Sequence, residues 1–285
     1  MNPSRQRAPP RAPSAHEDAT EIRTIDVENQ LLRVGIRAGN GPPLLLFNGI
    51  GASFELLEPF TRALGDLETI VFDVPGVGGS PVPRMPYRFS GLARLADRML
   101  TQLGYDGQVD ALGVSWGGAA AQQFARTVRL RCRRLILAAT TPGVLMIPGR
   151  LALLRRMFDA QRYGDPQYMT RIAPELYGGA LRREPHLIAE LVEHMKPPNR
   201  VGYQYQQLAF LGWTSLRWLP LLRQSTLVLT GSDDPLVPPV NGRILRSLIP
   251  RARLQVVEDG HLFLITSAVH VAPIVREFLS SPAEA

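Results

Sequence analysis

Cysteine is nearly absent: Cys132 is the single one, so no internal disulfide can form. It lies among arginines at the start of a predicted strand and reads as a bystander rather than a nucleophile. No apolar run is long enough to span a bilayer. The first twenty residues, rich in Pro, Arg and Ala, lack the apolar core of a secretory signal. These absences argue against an integral membrane protein, and the expected compartment is the cytoplasm. Lysine is scarce too, so the formal net charge of +7 comes mostly from arginine. The run Arg129, Arg131, Arg133 and Arg134 reads as a solvated face. Attraction to an anionic surface is the other use of such charge, but no nucleic-acid-binding motif accompanies it and no nucleic-acid partner is expected.

What is present fits one large α/β domain of 285 residues with an ordinary apolar fraction of 45%. Residues 1–20 are too rich in proline and charge to offset the entropy of ordering, and are expected to be disordered. Alternating apolar positions from Ile22 to Ile36 predict one or two edge strands. A short continuous apolar run at 44–47 predicts a strand covered on both faces, 69–72 reads as another buried strand, and further strands are expected at 109–112, 134–139, 226–230 and 253–257. Helices are expected at 54–64, 92–103, 240–248 and 267–279. This alternation implies a mostly parallel, doubly wound sheet.

Between 142 and 222 the rhythm breaks, with amphipathic patches and no buried strand. That length is too great for a structureless loop in a compact domain, so a helical cap covering the carboxyl edge of the sheet is expected. The core is then 21–141 with 223–285. Trp213, Trp218, Tyr203, Tyr205 and Phe210 fall in the cap segment, either as its own core or as the lining of an apolar substrate channel.

Gly113-Val114-Ser115-Trp116-Gly117-Gly118 places a serine between an apolar strand and a small-residue helix, the pattern of a nucleophile elbow. Serine needs an imidazole to take its proton and a carboxylate to orient that imidazole. Both occur downstream at strand ends, in the order such a sheet requires. Gly231-Ser232-Asp233-Asp234-Pro235 offers two acids, of which Asp234, just before the proline, is the expected partner, with Asp233 supporting the turn. Glu258-Asp259-Gly260-His261 offers the base, His261. Asp259 reads as a loop residue. For the developing oxyanion the expected donors are the amides of Trp116, at a helix N-terminus, and Ile50, in the turn Asn48-Gly49-Ile50-Gly51. The glycine-rich stretch from Asp73 to Ser80 resembles a phosphate cradle only loosely. It lacks the lysine and the spacing of a nucleotide loop. Neither a metal nor an organic cofactor is expected.

With these residues in hand, the sequence resembles the α/β-hydrolase superfamily, and within it the intracellular depolymerases of medium-chain-length poly(3-hydroxyalkanoates). The shared segments are Phe47 to Gly51, Phe72 to Ser80, Pro86 to Phe89, Gly113 to Gly118, Leu211 to Ser215, Asp233 to Leu236 and Asp259 to Thr266. The likeness runs from about residue 21 to 280. It implies an α/β-hydrolase fold, Ser115 as nucleophile, Asp234 as acid, His261 as base, a polyester substrate, and residence on cytoplasmic storage granules. Granule polymer synthases carry cysteine at the elbow, and haloalkane dehalogenases and epoxide hydrolases carry aspartate, so serine argues for ester hydrolysis. The alternatives are a small-molecule esterase, a carbon–carbon bond hydrolase, a cofactor-free haloperoxidase, or a non-catalytic granule-binding protein.

Overall fold

A computed structural model describes residues 19–149, 151–157 and 165–281. Residues 1–18, the bulk of the segment expected to be disordered, lie outside them. The strands are β1 (Glu21–Val27), β2 (Gln30–Arg37), β3 (Asn40–Phe47), β4 (Leu67–Phe72), β5 (Val109–Val114), β6 (Cys132–Ala138), β7 (Ser225–Gly231) and β8 (Ala252–Val257). They form one eight-stranded sheet in the order β1-β2-β4-β3-β5-β6-β7-β8. β2 pairs antiparallel with β1 and β4, and all other neighbours are parallel.

β1 and β2 join through Glu28 and Asn29, both at positive φ (54° and 65°), the two-residue turn whose twist matches a hairpin. β1 is an edge strand and β2 is interior, so of the one or two edge strands expected over 22–36 only β1 is one. The misleading position is Arg33, which looks solvent-facing in the alternation but is paired with Glu55 (2.8 Å) and Asp73 (3.2 Å).

The helices are α1 (Glu58–Ala63), α2 (Phe89–Gln102), α3 (Trp116–Thr127), α4 (Leu151–Met157), α5 (Pro166–Tyr177), α6 (Gly179–Arg183), α7 (His186–His194), α8 (Arg200–Phe210), α9 (Val240–Leu248), α10 (Phe263–Thr266) and α11 (Ala268–Ser280). The helix expected over 54–64 splits into a 3-10 turn, Phe54–Leu57, and α1. Pro59 has no N–H to continue the first turn into the second. Successive strand residues feed opposite layers, as a period of two requires. Leu45, Phe47, Ala111, Leu135 and Leu137 pack in the layer that holds α2 and α3. Leu44, Leu46, Leu112, Ile136 and Ala138 pack in the layer that holds α1 and α11.

Between β6 and β7 the described residues hold α4 to α8, a 3-10 turn at Leu219–Leu221 and an isolated bridge from Gly143 to Thr214. Met169, Ile172, Leu176, Leu181, Ile188 and Leu191 give α5 to α7 a core of their own, closed from below by Leu56 and Leu236. α8 rests instead on the loop after β4, where Gly76 (φ 87°) meets Gly202 backbone to backbone. The tryptophans after α8 do not form a separate cap core. Trp213 lies 5.1 Å from Phe89 of α2, ring to ring, and 6.1 Å from Trp218, and its indole donates to Gln123 of α3 at 3.1 Å. No helix among the described residues is long and apolar enough to cross a membrane.

Candidate active site

β5 is buried along its whole length and ends at Ser115, which adopts φ 56° and ψ −120°. A side chain at positive φ is strained, and the surroundings must hold it there. Ser115 N–H donates to Ala138 O at 2.9 Å, and Thr140 Oγ1 donates to Ser115 O at 2.7 Å. The flanking glycines allow the close approach that makes the turn. A Cβ on Gly113 would lie 2.2 Å from Gly117 O, and one on Gly117 would lie 2.1 Å from Phe47 O. α3 therefore starts directly against the ends of β3 and β5, with the Ser115 hydroxyl above the sheet.

The loops after β7 and β8 bring the expected partners to that hydroxyl. His261 Nε2 lies 3.0 Å from Ser115 Oγ, and His261 Nδ1 lies 2.7 Å from Asp234 Oδ2. The second Asp234 oxygen accepts the amides of Leu236 (2.9 Å) and Val237 (2.8 Å). Both the imidazole and the carboxylate are buried. The row can relay a proton from the hydroxyl to the imidazole while the carboxylate fixes the tautomer. His261 is held from behind as well, its N–H donating to Tyr177 O at 2.7 Å.

Two cavities meet at Ser115 and Ile50. The narrow one, about 40 Å³, passes beside His261 between Leu56, Tyr177, Leu191 and Met195. The wide one, about 780 Å³, is lined by Trp116, Val144, Met146, Leu208, Phe210 and Val237 among others. Ile50 and Trp116 thus flank Ser115 at the floor of one chamber, where two backbone amides can face a developing oxyanion. Of the residues lining the wide cavity, Val144, Leu208 and Leu211 are exposed, Leu211 to 76%, and Leu145 and Ile147, beside Val144 and Met146 in the chain, are exposed as well. Of the aromatic residues left between core and channel by the sequence, Phe210 lines the chamber and Tyr203 is buried in the main core.

Three residues do more than the sequence indicated. Asp259 is a buried hub whose carboxylate accepts from Ala180 N (2.6 Å), Gly260 N (2.6 Å), Thr266 Oγ1 (2.6 Å) and Ser267 Oγ (2.5 Å). Burial pushes this carboxyl up, but the hydrogen bonds outweigh it and hold it below the usual range. Asp233 also reaches α6, accepting from Gly179 N at 2.9 Å and pairing with Arg182 at 2.8 Å. Gln206 on α8 accepts from Gly51 N at 2.7 Å through its side chain and from Trp116 Nε1 at 2.9 Å through its backbone. The contacts to Ala180, to Gly179 and Arg182, and to Gly51 and Trp116 join positions more than 50 residues apart, which no local pattern displays.

The glycine-rich loop after β4 closes on a protein carboxylate. Asp73 Oδ2 accepts from Gly79 N at 2.8 Å, and a Cβ on Gly78 would lie 2.1 Å from that oxygen. No group of three or more His, Cys, Asp or Glu is gathered as metal ligands would be among the described residues. Cys132 is buried, which pushes its thiol pKa up.

Residues 42–268 match the family model described as the alpha/beta hydrolase fold, and the chain belongs to the α/β hydrolase family. The sequence is 52% identical over 261 residues, 90% of this chain and 92% of the relative, to a poly(3-hydroxyalkanoate) depolymerase of Ectopseudomonas oleovorans. A 2-hydroxymuconate semialdehyde hydrolase of Pseudomonas putida is more distant, at 28% identity over 90% of this chain and 95% of its own. The enol-lactonase of Burkholderia xenovorans LB400 shares the fold with a TM-score of 0.78 at 22% identity, covering 91% of this chain and all (100%) of its own.

Proposed function

We propose that this chain is a serine ester hydrolase that depolymerises poly(3-hydroxyalkanoates) with medium-length alkyl side chains. The observation that carries the reading is the hydrogen-bonded row Asp234, His261, Ser115 at the floor of an apolar chamber of about 780 Å³. The identity with the Ectopseudomonas oleovorans depolymerase supports the polymer as substrate.

Ser115 Oγ attacks the ester carbonyl as His261 Nε2 takes the hydroxyl proton. Asp234 accepts the opposite N–H and stabilises the imidazolium that forms. The amides of Ile50 and Trp116 hold the oxyanion of the tetrahedral intermediate. Collapse breaks the bond to the alkoxy oxygen, which leaves with the proton from His261. Water, deprotonated by the same imidazole, then attacks the acyl-serine; the imidazolium returns its proton to Ser115 Oγ as that bond breaks, and a 3-hydroxy acid or a short oligomer leaves.

Residues 142–222 act as a cap whose wide chamber takes the alkyl side chains. The exposed apolar residues in and beside its lining are suited to a hydrophobic polymer face, which supports work on cytoplasmic granules. Clearing of an amorphous suspension of the octanoate-type polymer tests the reading, with product analysis of the supernatant. Wild type is expected to clear it and release 3-hydroxyacids or oligomers, and Ser115→Ala to lose the activity by about 10⁴-fold or more. Failure to clear, alongside good turnover of short esters or of a carbon–carbon cleavage substrate, removes the polymer assignment. Absence of labelling of Ser115 by a fluorophosphonate removes the enzyme.

A further inference from the structure

We infer that Gln206 is a positioning residue for the oxyanion site, tethering from the cap both backbone segments that carry its donors. The inference rests on the ester-hydrolase reading above. Gln206 sits on the buried face of α8, one turn beyond Gly202, and is 1% exposed. Asn199 fixes the start of that helix, its side chain accepting from Val201 N at 2.9 Å, and Gly202 seats it against Gly76.

From this fixed helix the side-chain carbonyl of Gln206 accepts from Gly51 N at 2.7 Å, and its backbone carbonyl accepts from the Trp116 indole at 2.9 Å. Gly51 follows Ile50, and Trp116 follows Ser115. One cap residue therefore reaches both sides of the place where the oxyanion forms.

The two sides are not equally secure. Trp116 N lies on the elbow, locked by the glycine contacts at 113 and 117. Ile50 lies in a turn whose ties include Asn48 Nδ2 to Ser53 O (2.7 Å), Gly49 N to Asn48 Oδ1 (2.8 Å) and Ala52 N to Gly49 O (3.2 Å). Gly51 is at φ 74°, where glycine lets the peptide rotate easily. Removing its acceptor leaves a buried N–H unsatisfied, and the turn relieves that by rotating the peptide after Ile50. Donors must hold position to within about 0.5 Å to stabilise the transition state. Neither cavity is lined by Gln206, so its loss removes no substrate contact.

The test compares wild type, Gln206→Met and Gln206→Glu on p-nitrophenyl octanoate. An alkylboronic acid serves as the tetrahedral mimic, and thermal midpoints are recorded alongside. Methionine fills the space without an acceptor, whereas glutamate keeps one. Gln206→Met is expected to lower kcat by about 10- to 100-fold, with KM within about twofold and boronate affinity reduced in proportion. Gln206→Glu is expected to recover most of both. Wild-type kcat in Gln206→Met overturns the inference, as does a glutamate variant no better than the methionine one, or a loss shared equally by KM. Should Gln206→Met not fold, Gln206→Asn, one methylene too short to reach, is held to the same outcomes. Ser115→Ala separates the two levels: if it retains turnover, the serine reading fails. If it is dead while Gln206→Met matches wild type, only the role of Gln206 fails.

Discussion

Gly202 of α8 and Gly76 of the loop after β4 touch backbone to backbone, so closely that a Cβ on Gly202 would lie 1.9 Å from Gly76 O. Neither partner is a flexible side chain that can move aside. Gly202→Ala is expected to push α8 off its seat, costing about 1–3 kcal/mol of stability, as overpacking does. It should also lower turnover of p-nitrophenyl octanoate. Urea midpoints and ester kinetics measured together check this, and wild-type values in both would show that the contact does not constrain the cap.

The φ of 56° at Ser115 is held by its surroundings and not by preference. Ser115→Gly and Ser115→Ala should both be inactive, yet the glycine variant should be more stable than the alanine variant. A difference of about 1 kcal/mol is expected, strain relief being partly offset by the larger unfolded-state entropy of glycine. Denaturant melts of the two inactive proteins decide it. Equal midpoints would mean that the elbow stores no strain.

Asp259 holds α6 and the His261 loop together through four hydrogen bonds. Asp259→Asn keeps the shape but turns one acceptor into a donor facing donors, so a loss on the order of 2 kcal/mol is expected. A drop in kcat should accompany it, because His261 is two residues along the same loop. Thermal unfolding with ester kinetics reads both, and an unchanged midpoint would contradict the role given to this carboxylate.

Acid sensitivity should pass through Glu55. Burial raises its carboxyl, but hydrogen bonds from Arg33 and from Lys196, just after α7, bring it down from 4.5 to about 2. The folded value is below the unfolded one, so the stabilisation is complete above about pH 4.5 and is lost as pH falls towards about 2. Glu55→Gln should therefore show a shallower fall in stability between about pH 5 and pH 3 than wild type. Parallel curves would rule out this ion-pair cluster as a source of acid lability.

Leu145 and Ile147 are exposed beside the lining residues Val144, Met146 and Pro148 in the chain but are not in the chamber wall. Leu145→Asp with Ile147→Asp is expected to slow clearing of polymer suspensions several-fold while leaving p-nitrophenyl octanoate turnover within about twofold. Equal loss on both substrates would point to a disturbed chamber instead of weakened contact with the polymer face.

The parallel strands were legible because strands buried on both faces must be largely apolar, as at Leu44 to Phe47 and Leu227 to Leu229. The elbow was legible because its glycines flank the serine within one short motif, although Gly113 meets the nearby Gly117 and Gly117 meets the distant Phe47. Ser115, Asp234 and His261 follow from chain order at successive strand ends, although 146 positions separate the first from the last. What stayed hidden depends on long-range pairing. Arg33 disguises an interior strand as an edge, since its acidic partners stand 22 and 40 residues away. Asp259 looks like a loop residue until Ala180 and Ser267 fold around it. Gln204, Gln206 and Gln207 are indistinguishable by composition. The helix phase alone turns the middle one inward, and what it meets there is set by the tertiary fold.

Because Gly202 and Gln206 lie one turn apart on the same face, a single added or deleted residue just before them would swing both by about 100° around the helix axis. Gly202 would leave Gly76, and Gly51 and Trp116 would lose Gln206, in one step. Insertions and deletions between relatives should therefore cluster upstream of Asn199 and spare the interval from there to Phe210. Grafting a foreign cap onto this body should succeed only when the splice preserves that angular phase.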